Sequence, residues 1–133
     1  MTVSVAGDVS YVLPSEEIRI NLENAGSVIT TGVSASNYMA SYNGIIRSWE
    51  VVGIPAGSIV VDVLKANLAI PTVGDRISAS DPPTLSSQNL NKNLTITGWS
   101  DVQVRVGDVF GINIVSVSSL TNVVITLKVS KYS

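Results

Sequence analysis

The stretch that decides the fold is GWSDVQVRVGDVFGINIVSVSSLTNVVITLKVSK, residues 98–131. It holds two apolar runs, 109–117 and 120–129, in which β-branched residues dominate. In the second run Val123, Ile125, Leu127 and Val129 share one face, and Val124, Thr126 and Lys128 take the other. A period of two is typical of a half-buried strand. Ser118-Ser119, followed by Thr121-Asn122, supplies polar turn chemistry between the runs, so we expect a core hairpin onto which the rest of the chain folds.

Beyond these two runs, alternation recurs in short segments that are separated by turn signals. The segments are 16–22, 45–52, 58–65, 94–99 and 102–106, and the second of them places Ile45, Arg47, Trp49 and Val51 on one face. The turn signals are Asn24-Ala25-Gly26, Asn43-Gly44 and Pro55-Ala56-Gly57. Residues 66–93 are rich in Pro, Ser and Asn and predict a long excursion, pinned by Ile70, Val73, Ile77 and Leu85.

These patterns predict an all-β chain of eight or nine strands and no helix. The architecture that fits them is an antiparallel two-sheet β-sandwich, with a jelly roll as the expected strand order. Residues 1–14 form a short N-terminal arm or edge strand in this prediction, because Pro14 cannot donate to a strand ladder. Residues 15–133 then form a single sandwich domain.

Composition excludes several classes of partner. The net charge is −2, and the eight basic residues are scattered along the chain, so no cluster tracks a nucleic-acid backbone. No run approaches the ~18 apolar residues of a membrane span, and the N-terminus lacks the basic and apolar regions of a signal peptide. Only 14% of the residues are charged, against a usual ~25%, which favours an extracellular particle or an oligomer.

The chain has neither His nor Cys, which removes serine triads, thiol nucleophiles and the usual zinc or copper sites. Glu16 and Glu17 are adjacent, so on a strand they point to opposite faces. Four aspartates lie beside Gly, Ser or Pro and are expected to cap turns: Asp75, Asp81, Asp101 and Asp108. Calcium-loop and phosphate-loop motifs are absent. We therefore expect no enzyme, no metal and no cofactor.

The aromatic residues leave two alternatives open. Trp49 and Trp99 lie within or at the end of alternating segments, which favours packing in the core; the alternative is an exposed platform on which sugars stack. Tyr38, Met39 and Tyr42 fall in a less regular segment. They are either buried or part of a subunit contact, since Tyr and Met are enriched in interface cores.

Residues 57–66 and 78–129 together resemble a β-sandwich domain that is common in virion proteins of tailed bacteriophages. Five pieces carry the resemblance in order: GSIVVDV at 57–63, PTLSS at 83–87, TGW at 97–99, GDV at 107–109 and TNVVITLKV at 121–129. The chain departs from the pattern at two positions. Leu64 stands where many relatives carry an aromatic residue, and Val115 where they often carry Asp.

The resemblance implies a phage structural protein, and for a chain of this length a capsid decoration or cement protein on the outer surface of the head. It would be made in the bacterial cytoplasm, form a homotrimer, and clamp the major capsid protein through buried area and strand addition. The residues that we expect at such contacts are Thr2, Val3, Val5, Val9, Tyr11, Tyr38, Met39 and Tyr42. The alternative is a tail-fibre or receptor-binding module that recognises host glycans.

Overall fold

A computed structural model describes residues 15–132, which form eight β-strands and one 3₁₀ turn at Val73–Asp75. No α-helix occurs in this part of the chain. The strands are β1 (Ser15–Glu23), β2 (Gly32–Val33), β3 (Tyr38–Met39), β4 (Gly44–Asn67), β5 (Thr84–Asn93), β6 (Gln103–Val104), β7 (Asp108–Ser118) and β8 (Asn122–Lys131). The predicted arm, residues 1–14, lies outside the described residues, as does residue 133.

The sheet is built around β4, a strand of 24 residues. On one side β4 pairs with β8 along residues 44–54 and with β7 along residues 58–67, always antiparallel. On its other side it pairs with β5 and, at its start, with β6. The strand order is therefore β1-β8-β4-β7-β2, with β3 also on β7. The predicted segments 45–52 and 58–65 are two halves of this one strand.

The predicted core hairpin is wrong, because β7 and β8 are not partners. Both strands run antiparallel to β4, and hence in the same direction along it. β7 lies opposite Ser58–Asn67 of β4, and β8 continues opposite Gly44–Ile54. Residues 119–121 make a bend, not a reversal. The turn chemistry of that segment serves a change of direction equally well, and the apolar runs on either side face one core.

Two glycines allow β4 to bend opposite this point. A Cβ on Gly53 would stand 2.8 Å from Leu120 Cδ2 and 2.9 Å from Leu85 Cδ1. A Cβ on Gly57 would collide with the Ser118 carbonyl oxygen. Leu120 is completely buried at the bend. The backbone contact requires glycine at position 57, and glycine at position 53 leaves room for the two leucine side chains.

One continuous sheet replaces the predicted pair of sheets. Because β4 bends, and the chain bends between β7 and β8, the strands pass from one half of the molecule to the other within a single sheet. The result is a curled antiparallel sheet whose halves enclose one core, with members from both halves such as Ile18, Trp49, Val61 and Phe110. The all-β prediction is confirmed, and the jelly-roll order is not.

The first strand matches its prediction closely. Ile18, Ile20 and Leu22 are buried on one face of β1, while the residues between them are exposed. The predicted turn follows at once: Ala25 and Gly26 both have positive φ, and Ser27 N donates to the Asn24 carbonyl at 2.8 Å. Asn and Gly tolerate this geometry well, whereas Ala at φ 49° is uncommon.

Residues 66–93 and 94–99 depart from their predictions. The excursion contains β5, and of its four predicted anchors Ile77 and Leu85 are buried while Ile70 and Val73 are exposed. Segment 94–99 contains no strand. The Ser- and Asn-rich sequence of β5 hides it, because the strand buries one apolar side chain and uses its amides for hydrogen bonds.

The predicted face of segment 45–52 is also corrected. The register runs from Ile46 opposite Val129 to Ser48 opposite Lys128, so Arg47 is an extra residue in a β-bulge. The bulge exposes Arg47 and places Ile46 on the buried side with Trp49 and Val51, in place of Ile45.

Asn43-Gly44 does not form the predicted turn. Gly44 begins β4, and a Cβ there would lie 2.7 Å from Val129 Cγ1, so glycine admits the close approach of β8. The Asn43 side chain instead accepts a hydrogen bond from Val106 N.

Candidate interaction surfaces

The first surface is the free edge of the sheet at β1. All nine residues of β1 pair with β8 in an uninterrupted register, from Ser15 opposite Ser130 to Glu23 opposite Asn122. On its other side β1 makes no backbone hydrogen bond within residues 15–132. A straight edge without bulge or proline offers its N–H and C=O groups to another strand.

A cavity of about 150 Å³ opens beside the end of this edge, between β1 and β2. Its apolar part is formed by Leu22, Ile29 and Ile114, all buried. Thr30 and Thr31 supply polar groups at its rim. Since β2 and β3 have two residues each, the curled sheet stays open between them and β1. We call this opening, with its cavity, the seam.

The edge formed by β5 is different. Its register with β4 is shifted twice, and its own amide side chains bond its main chain. Asn91 Nδ2 donates to the Thr84 carbonyl at 2.8 Å, and Gln88 Nε2 donates to the Leu90 carbonyl at 3.0 Å. Ser86 N in turn donates to Gln88 Oε1. These bonds and bulges leave β5 a poor template for an added strand.

The second surface is apolar and lies on the outer face near the bend. Val52 stands directly opposite Leu90 of β5 and Val124 of β8, so the three side chains form a row across the sheet. Ile54 follows on the same face and is 63% exposed. We call these four residues the bend patch. A charged row borders it, in which Glu50 stands opposite Lys92.

The third surface lies at the other end of the molecule, where the ends of the strands meet. Met39, Leu68, Val106 and Tyr132 are each more than half exposed there. Their main chains are tied together: Leu68 N donates to the Gly107 carbonyl, Gly107 N to the Ala40 carbonyl, and Tyr132 N to the Asn43 carbonyl. We call these four residues the open-end patch.

Of the predicted contact residues, Tyr38, Met39 and Tyr42 lie in the described part of the chain. Met39 belongs to the open-end patch, Tyr38 is half-buried, and Tyr42 is buried. The hydroxyls of Tyr38 and Tyr42 are 3.0 Å apart, and Lys131 Nζ lies 5.7 Å from the centroid of the Tyr42 ring. Burial, reinforced by the hydrogen bond with Tyr38, raises the pKa of Tyr42 well above its ordinary value. Tyr42 therefore supports this region from within.

The other five predicted contact residues lie outside the described part of the chain. They are Thr2, Val3, Val5, Val9 and Tyr11.

The charged groups inside the molecule form structural pairs. Lys65 Nζ lies 2.5 Å from Asp101 Oδ2 and 3.7 Å from Asp108 Oδ2, with its side chain 9% exposed. Burial acts to raise the pKa of Asp101, but the hydrogen bonds from Lys65 and Gln103 and the nearby positive charges outweigh it, so that pKa lies below its ordinary value. An amine held by two carboxylates is not a free nucleophile.

The predicted turn caps are confirmed for three of the four aspartates. Asp75, Asp101 and Asp108 accept hydrogen bonds from the main-chain N–H groups of Thr72, Gln103 and Arg105, respectively. The fourth, Asp81, accepts instead from the side chains of Trp49 and Asn93.

Both tryptophans are core residues. Trp49 is 4% and Trp99 8% exposed. Trp49 Nε1 donates to Asp81 Oδ2 at 3.3 Å, and Trp99 Nε1 donates to the Asp81 carbonyl at 2.9 Å. The packing interpretation is thereby confirmed, and neither ring is an exposed platform for a sugar.

Sequence reasoning missed the bend patch and most of the open-end patch. A usable signal was present: Val51-Val52 and Ile54 put apolar residues on both faces of one strand, which breaks the alternation. Single exposed apolar residues are ordinary, whereas a contiguous apolar patch on the outer face of a sheet points to an interaction surface.

Within residues 15–132, no group of three or more acidic side chains is placed to hold a metal ion. In the same part of the chain, none of the helical structure is long and apolar enough to cross a membrane.

Comparison with known proteins finds similarity only in solved structures. No family model matches the chain, and no curated protein matches it in sequence. A chain in the cryo-EM structure of the virus-like particle of extra small virus, from the giant freshwater prawn Macrobrachium rosenbergii, is 12% identical with a TM-score of 0.39. That alignment covers 99% of this chain and 87% of the other.

A second similar chain comes from the capsid asymmetric unit of cyanophage Pam1. It is 11% identical with a TM-score of 0.30, and the alignment covers 100% of both chains. Both similar structures thus come from viral capsids or particles.

Proposed function

We propose that the chain is a virion structural protein, and specifically a capsid decoration or cement protein that clamps neighbouring shell subunits without chemistry. The observation that supports the proposal is the presence of two exposed apolar surfaces, the bend patch and the open-end patch, at opposite ends of the molecule. The second half of β4, residues 58–67, separates them. Ten residues of strand span roughly 33 Å, which suits a bridge between two partners.

The physical basis of the clamp is modest burial repeated at two places. Covering a Val, Leu or Ile side chain contributes roughly 1.5–3 kcal/mol before the costs of association, so one patch alone binds weakly. Two patches that engage neighbouring subunits at once make the second contact intramolecular, which strengthens attachment without new interactions. A charged border such as that of Glu50 and Lys92 fits the polar rim of an interface.

The proposal extends to the partners. We propose that the shell side is the major capsid protein of a tailed phage, that copies of the chain associate as a homotrimer on the outer surface of the head, and that synthesis takes place in the bacterial cytoplasm. The contacts among copies would use the arm residues Thr2, Val3, Val5, Val9 and Tyr11, together with Met39 of the open-end patch and with Tyr38 and Tyr42, which support Met39 from within.

The experiment is co-sedimentation of the purified protein with shells that lack it, with occupancy read by mass. Leu90→Lys changes the bend patch and Leu68→Lys the open-end patch; Thr95→Lys adds the same charge at an exposed position outside both. We expect each patch variant to lose most of its occupancy and the control to retain it. Full occupancy of both patch variants would overturn the clamp.

The alternative, a tail-fibre or receptor-binding module for host glycans, has no supporting observation in the described residues. Its expected platforms, Trp49 and Trp99, are buried. Saturable binding on a glycan array, lost on Tyr132→Ala, would be the result in its favour, because Tyr132 is exposed.

A further inference from the structure

The seam combines two features that point to one kind of ligand. The nine-residue strand β1 pairs with β8 on one side only, and its outer side has no strand partner among the described residues. The cavity beside Leu22 and Glu23 offers space against apolar side chains. An extended peptide with one apolar face fits both at once, since its main chain can pair with β1 while alternate side chains turn toward the core. Compact ligands would use only the cavity.

The chain itself contains a segment with this pattern. In residues 2–13, apolar side chains occupy the odd positions Val3, Val5, Val9, Tyr11 and Leu13, while most even positions are polar. In β1 the buried residues are the even ones, Ile18, Ile20 and Leu22. Residues directly opposite each other on paired strands share a face. A register that sets odd positions of the segment opposite even positions of β1 therefore places both apolar sets on the core side.

We propose that residues 2–13 of a second copy add to the β1 edge as an extra strand and close the seam. The inference rests on the proposed function, in which copies of the chain associate, and it specifies the surface that joins them. Twelve residues are enough to cover the nine residues of β1. Further association would repeat the same contact, because each copy has one such segment and one such edge.

Sequence at the junction favours a second copy over the same chain. A tight two-residue hairpin in front of β1 requires positive φ at its first position, which Gly or Asn provides. The two residues that precede β1 are Leu13 and Pro14. Leu disfavours positive φ, and the ring of Pro fixes φ near −65°. The segment is thus poorly suited to fold straight back onto its own β1.

Cysteine cross-linking of the full chain tests this pairing, because the natural sequence contains no Cys. One variant carries Ser10→Cys and a second, mass-tagged variant carries Arg19→Cys, which lies on the exposed face of β1. A third, Lys92→Cys, is the matched control on exposed β5. After mixing and mild oxidation, we expect several-fold more heterodimer for the Ser10–Arg19 pair than for the Ser10–Lys92 pair.

Two results would overturn the inference. One is equal cross-linking to β1 and β5. The other is a double variant, Ser10→Cys with Arg19→Cys, that forms its disulfide within one chain at all concentrations. The expected product of the double variant is instead a cross-linked oligomer.

A second variant pair tests the seam itself. Thr31→Trp fills the cavity from its rim, and Ser36→Trp adds the same side chain at an exposed position outside it. We expect the first substitution to lower the Ser10–Arg19 yield several-fold and the second to leave it unchanged, with both proteins retaining their unfolding midpoints. Equal yields would contradict a strand in the seam.

These measurements need no shells. If cross-linking fails but shell binding depends on the patches, the strand-addition inference is wrong and the proposed function stands. If cross-linking succeeds but the protein does not bind shells, strand addition stands and the proposed function is wrong.

Discussion

Two edge strands of the sheet, β1 and β5, are built in opposite ways. β1 is straight, pairs through nine consecutive residues with β8, and buries three side chains in the core. β5 is shifted twice in register, buries one apolar side chain, Leu85, and bonds its own main chain through Asn91 and Gln88. Both are exposed strands of one sheet, but β5 carries devices that discourage an added strand and β1 does not.

β5 is therefore an edge strand that is protected against further pairing, whereas β1 is an edge strand that remains available for it. A sheet edge that is regular, apolar underneath and without its own caps is a hazard for a protein that works alone. It is useful in a protein that assembles, since strand addition supplies main-chain hydrogen bonds for association. The contrast between the edges therefore agrees with an assembling protein more than with an isolated binding module.

The largest expected effect is the difference in stability lost when an apolar side chain is truncated in β1 and in β5. Ile20→Ala in β1 should destabilise the fold by about 3 kcal/mol, because it opens a cavity at a side chain that is 3% exposed. Leu90→Ala in β5 should change stability by less than about 0.5 kcal/mol, because that side chain already faces solvent. Urea unfolding of the two variants measures both. Equal losses would contradict the distinction.

The second prediction breaks the contrast by uncapping β5. Asn91→Ala removes the amide that donates to the Thr84 carbonyl and should cost about 1 kcal/mol, measured by urea unfolding. It should also promote concentration-dependent association, since β5 loses a bond that occupies its main chain. Lys92→Ala, at the next position, is the control without that bond. Sedimentation that shows no added association in Asn91→Ala would count against the capping role.

The third prediction concerns the connection after β5, which Asp101 fastens to β4 through Lys65. Because the pKa of Asp101 is lowered in the folded state, its contribution is present above the ordinary pKa of about 3.9 and is lost as the pH falls through the lower folded value. Asp101→Asn should therefore destabilise the protein near neutral pH by less than about 1 kcal/mol, since the carboxylate is 37% exposed.

The measurement is the free energy of unfolding as a function of pH. The difference between the natural protein and Asp101→Asn should shrink as the pH falls below about 4. A difference that stays constant down to pH 2 would show that the charge of Asp101 is not responsible.

The smallest effect lies in the surface charges of the two edges. Lys128 Nζ is 3.4 Å from Glu17 of β1 and 3.9 Å from Glu50 of β4, whereas Lys92 of β5 makes no ion pair within the described residues. Lys128→Met should cost about 0.5 kcal/mol at low salt and less at high salt; Lys92→Met should have no salt-dependent effect. Thermal unfolding at two salt concentrations distinguishes them.

Sequence alone predicts elements whose signal is local. The alternation of Ile18, Ile20 and Leu22 and the following Asn-Ala-Gly turn establish β1, and the runs at 109–117 and 120–129 correctly identify two strands. Their pairing is not local. Both find their partner in β4, more than 40 residues earlier, and the polar residues Ser119 and Thr121 are compatible with either a reversal or a bend.

Other errors have equally specific causes. A bulge at Arg47 shifts the period by one residue, which no count of alternating positions anticipates. Hydrophobic periodicity does not predict β5, because the strand carries amide side chains such as Gln88 and Asn91, which donate hydrogen bonds to its main chain. Of the candidate contact residues in the described part, Met39 is found at an exposed apolar surface, but the rest of that surface comes from Leu68, Val106 and Tyr132, which only the fold brings together.

The most direct test of the account is amide hydrogen exchange of β1 and β5 as the protein concentration is raised. If β1 is the assembly edge, exchange of its outward-facing amides in Ser15–Glu23 should slow by about an order of magnitude as copies associate, while Thr84–Asn93 stays unchanged. Unchanged exchange in β1 while the protein demonstrably associates, or equal slowing in both strands, would contradict it.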